Sequence, residues 1–308
     1  LLFTRGRNEE AERLTTEALA FRRDTFGADH PQVAWALNLL GEIRRAGGDA
    51  ASAEALYREA LAILQQTPEH AGRVATITTN LAQLLRDRGE AAEAEALFRQ
   101  ALQLTRETFG GENERVATIL NSLGRLARNR GELEAAERLY REALAMRRRL
   151  LGAEHPDVAT TAQNLAVVLR RRGDYAAAEG HYRTALEIFR ARFGDRHRNV
   201  ALVTQNLAAV LIPQGRADEA EGLARQAVED LRTALPEGHL WTLAARSVLG
   251  ESLAELGRFA EAETILLETH AAQRAAQGEE GSLTVRTRER LAALYRAWGK
   301  PGRVTEFQ

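Results

Sequence analysis

A glycine returns every 42 residues along most of this chain, and that spacing limits the possible folds more than any other feature. Gly89, Gly131, Gly173, Gly215, Gly257 and Gly299 keep the interval without a slip, Gly48 lies 41 residues before Gly89, and Gly6 lies 42 before Gly48. Seven residues ahead of each glycine after Gly6 stands a small residue: Gly41, Ala82, Gly124, Ala166, Ala208, Gly250 and Ala292. A leucine always precedes that small residue, from Leu40 to Leu291. Five residues after each glycine comes Ala11, Ala53, Ala94, Ala136, Ala178, Ala220, Ala262 or Val304. A period of this length means that one supersecondary unit is copied and stacked, because a single copy cannot bury its apolar face alone.

Each copy reads as two helices. Between Val74 and Arg88, apolar Ile77, Leu81, Leu84 and Leu85 follow helical spacing. The periodic glycine ends this first helix, since glycine takes the left-handed conformation at a helix C-terminus without steric cost. A second helix runs from about Ala91 to Glu107, with Ala94, Leu97, Phe98, Ala101 and Leu102 on one face. Glycine-containing loops return the chain to the next copy, and two of them spell Gly-Ala-Asp/Glu-His-Pro, at residues 27–31 and 152–156. Proline suits the first turn of the helix that follows, where its missing N–H has no intrahelical partner. The small residues let the two helices approach, so a large side chain at Ala136 should overpack the contact.

Aromatic Phe98, Tyr140 and Tyr182, with Ala101, Ala143 and Ala185, give the small-residue pattern a signature that resembles the tetratricopeptide repeat. The 42-residue period, the Leu-Gly-x-x-His-Pro-x-Val-Ala linker at 151–159 and the Ala-Glu-x-Leu-Tyr-Arg-Glu-Ala-Leu segment at 136–144 are similar more specifically to kinesin light chain repeats, of a kind common in bacteria. The resemblance covers essentially the whole chain. It implies an all-α fold, a right-handed α-solenoid of antiparallel helix pairs whose first helices line a concave groove, and it implies peptide or protein binding as the activity. On this reading residues 1–308 form a single solenoid. Complete repeats span 32–72, 73–114, 115–156, 157–198, 199–240 and 241–282, with partial copies at 1–31 and 283–308. The chain starts inside a first helix without an initiator methionine, and is expected to be a segment of a longer protein. The pattern drifts between 199 and 282, where the aromatic becomes Ala224 and then Leu266 and where Pro213 stands near the end of a first helix.

Composition narrows the function classes. With 42 basic and 43 acidic residues the formal net charge is -1, which argues against nucleic-acid binding and against an anionic membrane as partner. Cysteine is absent, which removes disulfides and thiolate metal sites and fits a cytoplasmic setting. Phosphate-binding glycine loops, His-Glu-x-x-His and nucleophile elbows are all missing, so neither a catalytic activity nor a cofactor or metal is expected. His30 and His155 recur with the linker and read as capping or loop-packing groups rather than ligands or bases. Glu93, Glu95, Glu134 and Glu137 read as solvated helix faces held by charge pairs.

Candidate binding residues lie on the first helices. Arg45, Arg86, Arg128 and Arg170 share one repeat position, and Arg125 sits a turn earlier in its copy. Helical geometry places them on one face with Asn38, Thr79, Asn121, Gln163 and Gln205. Asn80, Asn164 and Asn206 hold a neighbouring position, from which an amide can either grip a peptide backbone or bond between adjacent repeats. The arginines have two compatible readings: a basic groove for carboxylates, or cations meeting the negative end of each helix dipole. Arg88, Arg130 and Arg172 are expected to fit only the second. The chain is therefore expected to be a non-catalytic scaffold whose groove binds a protein or peptide of acidic character. The alternative is a regulatory or oligomerisation arm of a larger bacterial signalling enzyme. Apolar Leu1, Leu2, Phe3 and Phe307 are expected to leave exposed ends.

Overall fold

Alanine, leucine, arginine and glutamate lose little entropy in a helix, and the chain forms helices throughout. The computed structural model describes residues 8–64 and 68–307. Gly6, Leu1, Leu2 and Phe3 lie outside the described residues. The helices are α1 (Asn8–Phe26), α2 (Pro31–Ala46), α3 (Ala50–Leu64), α4 (Ala71–Asp87), α5 (Ala91–Phe109), α6 (Glu114–Asn129), α7 (Leu133–Leu151) and α8 (Pro156–Arg171). They continue as α9 (Tyr175–Phe193), α10 (Arg198–Leu211), α11 (Ala217–Ala234), α12 (Leu240–Glu255), α13 (Phe259–Gln277), α14 (Ser282–Ala297) and the single turn α15 (Pro301–Val304). Among the described residues there is no strand, and no helix is long and apolar enough to cross a membrane. The fold is an all-α solenoid of consecutive helix pairs.

The chain divides into two compact units, residues 1–150 and 151–308. In the first, α2 packs on α3 and α4 on α5 around a core that includes Leu37, Tyr57, Leu81, Phe98 and Leu123. In the second, α8 packs on α9, α10 on α11 and α12 on α13, with Tyr182, Leu207, Leu231 and Leu253 buried.

The small residue on each first helix has a visible purpose. A Cβ on Gly124 would stand 2.9 Å from the Tyr140 ring, one on Gly41 would stand 2.7 Å from Tyr57, and one on Gly250 would stand 2.6 Å from Leu266. The aromatic position of the second helix therefore rests on bare backbone of the first. Gly131 closes α6 at φ +82°, and the next N–H, of Glu132, bonds back to the Ala127 carbonyl at 2.9 Å. That left-handed turn is what redirects the chain into α7.

Histidine starts four of the first helices. His30, His155, His197 and His239 each accept, through Nδ1, the backbone N–H two residues on, at 3.2, 3.2, 3.2 and 3.1 Å. This satisfies one of the donors that a helix N-terminus leaves open. Pro31 and Pro156 follow two of these caps as the first residues of α2 and α8. Pro213 shortens α10 to 14 residues: the chain tightens into a 3₁₀ turn at Ile212–Gln214, and the Gln214 amide donates to the Val210 carbonyl at 2.9 Å. Without an N–H, proline cannot continue the α ladder.

The structure corrects the reading of Arg88 and Arg130 as groups that serve only a helix dipole. Arg88, at the end of α4, bonds Glu54 on α3, and Arg130, at the end of α6, bonds Glu95 on α5. In the second unit Arg216 reaches Glu179 at 2.8 Å and Arg258 reaches Glu221 at 2.7 Å. Each pair ties one helix pair to its neighbour. Burial raises the pKa of Glu179, but bonds from Arg216, Arg183 and Gln214 outweigh this and hold it below the ordinary carboxylate value. Glu54 and Glu221 behave alike. Phe307 also departs from expectation. It stacks on Tyr295 with centroids 5.8 Å apart and meets His270 edge-on, so it packs rather than leaving an open apolar end.

Candidate binding site

First helices carry most of the polar groups that line clefts. In the first unit a cleft of about 550 Å³ lies between α4 and α6, with Phe109 at the end of α5 forming part of its wall. Thr79, Asn80 and Gln83 from α4 face Arg115 and Thr118 from α6 across it. Thr79 donates its hydroxyl to the Ala75 carbonyl at 2.7 Å, so its methyl and oxygen are held in a fixed rotamer. The Arg115 guanidinium lies 4.5 Å from the centre of the Phe109 ring.

Further along the same face three arginines converge. Arg86 grips Asp87 at 2.8 Å, and Arg125, from the next first helix, reaches the same carboxylate oxygen at 3.5 Å. Arg128 donates to Asn129 at 3.3 Å. Crowding by protein pushes the Arg125 pKa down, and the charges of Arg86 and Arg128 push the same way while Asp87 opposes them. Beneath them lies Tyr140, fully buried, whose phenol is pushed up to about 12 by burial against the pull of Arg128, Arg125 and Arg86. The cluster is a set of planar donors on a rigid helical surface, a geometry suited to carboxylates.

Other expected site residues are placed differently. Asn38 is 3% exposed and donates to Glu42 at 3.0 Å. Asn80 donates to Asn38 at 3.0 Å and to Glu42 at 2.9 Å, which makes it a bond between successive first helices. Arg45 is half-buried beside Tyr57, and burial raises that phenol to about 12 against the arginine's charge. Asn121, Gln163 and Asn164 are half-buried on α6 and α8.

In the second unit Arg170, Gln205 and Asn206 come together with residues that the repeat pattern did not single out. Arg286 and Arg290 of α14 share a wall with Arg170 of α8. Arg290 keeps the repeat position of Asn206 and Asn164, 84 and 126 residues later, and that register is the signal that could have found it. Arg286 holds the position of Thr76 and Thr118, where nothing in the pattern suggested a cation. Among the described residues no cluster of three metal-ligating side chains occurs.

Comparison with known proteins agrees with this architecture. The family profile described as tetratricopeptide repeat matches residues 1–66, 73–149, 116–191 and 157–233, and a second profile of that description matches 243–268. No curated protein matches the sequence. Among solved structures, BtubC (BKLC) from P. vanneervenii is 26% identical, with a TM-score of 0.63 over 74% of this chain and 91% of that one. A kinesin light chain-like protein from Podosopora anserina with nearly identical repeats is 23% identical, with a TM-score of 0.56 over 68% and 99% of the two chains. A signal transduction ATPase with a tetratricopeptide repeat sensor, from Pyrococcus horikoshii, shares the fold at 14% identity, with a TM-score of 0.69 over 98% of this chain and 43% of that one. The chain belongs to the tetratricopeptide repeat family.

Proposed function

We propose that this chain is a non-catalytic scaffold that holds an acidic segment of a partner protein against the first-helix face of its repeats. The observation that carries this reading is the cluster of Arg86, Arg125 and Arg128 above buried Tyr140, where Arg86 and Arg125 already share a single carboxylate, Asp87, and Arg128 donates to Asn129 beside it. Arginine forks bind carboxylates through two parallel bonds, and a carboxylate of the partner takes the place that Asp87 fills in part. Beside the cluster, Thr79 in the cleft and Asn121 on α6 supply hydroxyl and amide groups for the partner's backbone. Gln163, Gln205 and Arg170 continue the same set of positions on α8 and α10. A cytoplasmic setting suits a cysteine-free chain of this kind.

The test is calorimetric titration with acidic, aromatic-containing peptides and their charge-reversed counterparts, comparing the wild type with an Arg86→Glu/Arg128→Glu variant. The reading predicts binding that weakens with salt and is lost in the variant. A variant that binds as well as the wild type would sink it.

A further inference from the structure

The second unit holds an arrangement of charge that the acidic-peptide reading does not use. A cleft of about 600 Å³ runs along α8, α10, α12 and α14, and its charged lining consists of Arg170, Arg171, Arg286 and Arg290 against Glu251 and Glu255. Four arginines against two glutamates leave an excess of two positive charges. The cleft narrows into an inner chamber of about 10 Å³, walled by the same Arg170, Arg286 and Arg290 and floored by Gln205, Ser247, Gln273 and Thr287.

The cations are not equivalent. Arg290 is held: it pairs with Glu251 at 2.6 Å and donates to Ser247 at 2.7 Å, and Ser247 in turn shares a 2.7 Å bond with Thr287. Neither Arg170 nor Arg286 forms an ion pair or donates a hydrogen bond to any described residue, and they come from helices more than 100 residues apart in the chain. Crowding pushes the Arg286 pKa down, and Arg170 and Arg290 push it the same way. Two like charges are thus kept side by side by the fold. The floor gives a second and independent observation. Gln273 is wholly buried on α13, and both its amide nitrogen and its amide oxygen lack a hydrogen-bond partner, as does the Gln205 oxygen beside it. Leaving such groups unpaired is costly, so a polar guest the size of a water, which the chamber admits, recovers stability as it binds.

We infer that Arg170 and Arg286 are the jaws of a binding site for a phosphomonoester in the wider cleft. A phosphate ester carries close to two negative charges and three acceptor oxygens on one centre, which matches two unpaired forks and the charge excess of the cleft. A carboxylate can bridge two forks but brings one negative charge and two acceptor oxygens, and so matches the charge excess of the cleft less well. The site goes beyond the acidic-peptide reading and shares with it Arg170 and Gln205.

Calorimetric titration of the whole 308-residue chain tests it. The probes are a capped Gly-phosphoserine-Gly tripeptide, its glutamate and serine counterparts, and inorganic phosphate. The expected result is that the phosphotripeptide binds at least tenfold more tightly than the glutamate peptide, and that Arg286→Gln weakens it tenfold or more. Arg286→Lys keeps the charge but loses the fork, and falls between. An Arg86→Gln/Arg128→Gln variant of the first unit leaves phosphotripeptide affinity unchanged. If it loses acidic peptides too, both sites stand; if it keeps them, the acidic-peptide reading fails alone. Inorganic phosphate binding as tightly as the tripeptide identifies a free phosphate compound as the guest, and tighter tripeptide binding identifies a phosphorylated protein segment. Arg286 is exposed, so its variants are expected to fold, which thermal unfolding checks. The inference is overturned if no phosphate probe binds, if Arg286→Gln binds like the wild type, or if the glutamate peptide binds equally well.

Discussion

Tyr140 joins the packing of this protein to its candidate site. Its ring rests on the bare backbone of Gly124, and its hydroxyl lies under three arginines with no hydrogen-bond partner of its own. A buried hydroxyl without a partner contributes nothing to folding. Tyr140→Phe should therefore leave stability unchanged or raise it by up to about 1 kcal/mol in urea unfolding; a loss of more than about 1 kcal/mol would show that the hydroxyl bonds to the arginines. On the other side of the same contact, Ala136 is fully buried. Ala136→Leu should cost about 1–3 kcal/mol through overpacking. The need for a small residue at these positions was legible from spacing alone. That Gly41 and Gly124 meet Tyr57 and Tyr140, and Gly250 meets Leu266, comes from the structure. The fate of the asparagines was not legible either. The sequence left Asn80 open between gripping a peptide and bonding to an adjacent repeat, and only the contact of α4 with α2 assigns it to Asn38 and Glu42.

Helix ends and the ladder between helices account for much of the order in each unit. The histidine caps act through neutral Nδ1 as an acceptor, so His155→Ala should destabilise the protein by about 1 kcal/mol, while His155→Asn, which also accepts from the N–H two residues on, should restore most of it. Equal stabilities of the two variants in thermal unfolding would rule out the capping role. The linker motif pointed to His30 and His155. His197 and His239 serve the same purpose in loops whose other residues have diverged. Arg88 and Arg130 were read as dipole chemistry because their partners, Glu54 and Glu95, lie 34 and 35 residues away in the chain. Such a pair is visible only once the copies are stacked. The ladder also sets a pH dependence. Glu54, Glu179 and Glu221 have pKa values below the ordinary carboxylate value when folded. The folded state therefore binds fewer protons than the unfolded one. The ladder's stabilisation is complete above the unfolded value of about 4.3 and is lost as pH falls through the lower folded values. Urea midpoints should be level between pH 7 and 5 and drop below about pH 4, less steeply in a Glu179→Gln variant. A midpoint that rose on acidification would contradict the ladder's sign.

The molecule as a whole is more legible than its site. A period of 42 residues, a small-residue pair and a terminal glycine dictate paired helices that must stack, and the structure has them from α2 to α13. Binding surfaces follow a looser rule. The stripe of arginines was visible at Arg86, Arg128 and Arg170, yet Arg286 lies off the stripe and meets Arg170 only through the fold of the second unit. Position in a repeat predicts which face a residue occupies, but not which residues meet across a cleft several copies long. The central claim is that the first-helix face, and not the second-helix face, receives the partner. Photo-cross-linking from an acidic peptide carrying a benzophenone, followed by mass spectrometry, tests it most directly. The account predicts cross-links on α4 and α6, around Thr79 to Arg86 and Thr118 to Arg128. Cross-links confined to the outer residues of α5 and α7, such as Arg99 or Arg141, would contradict it.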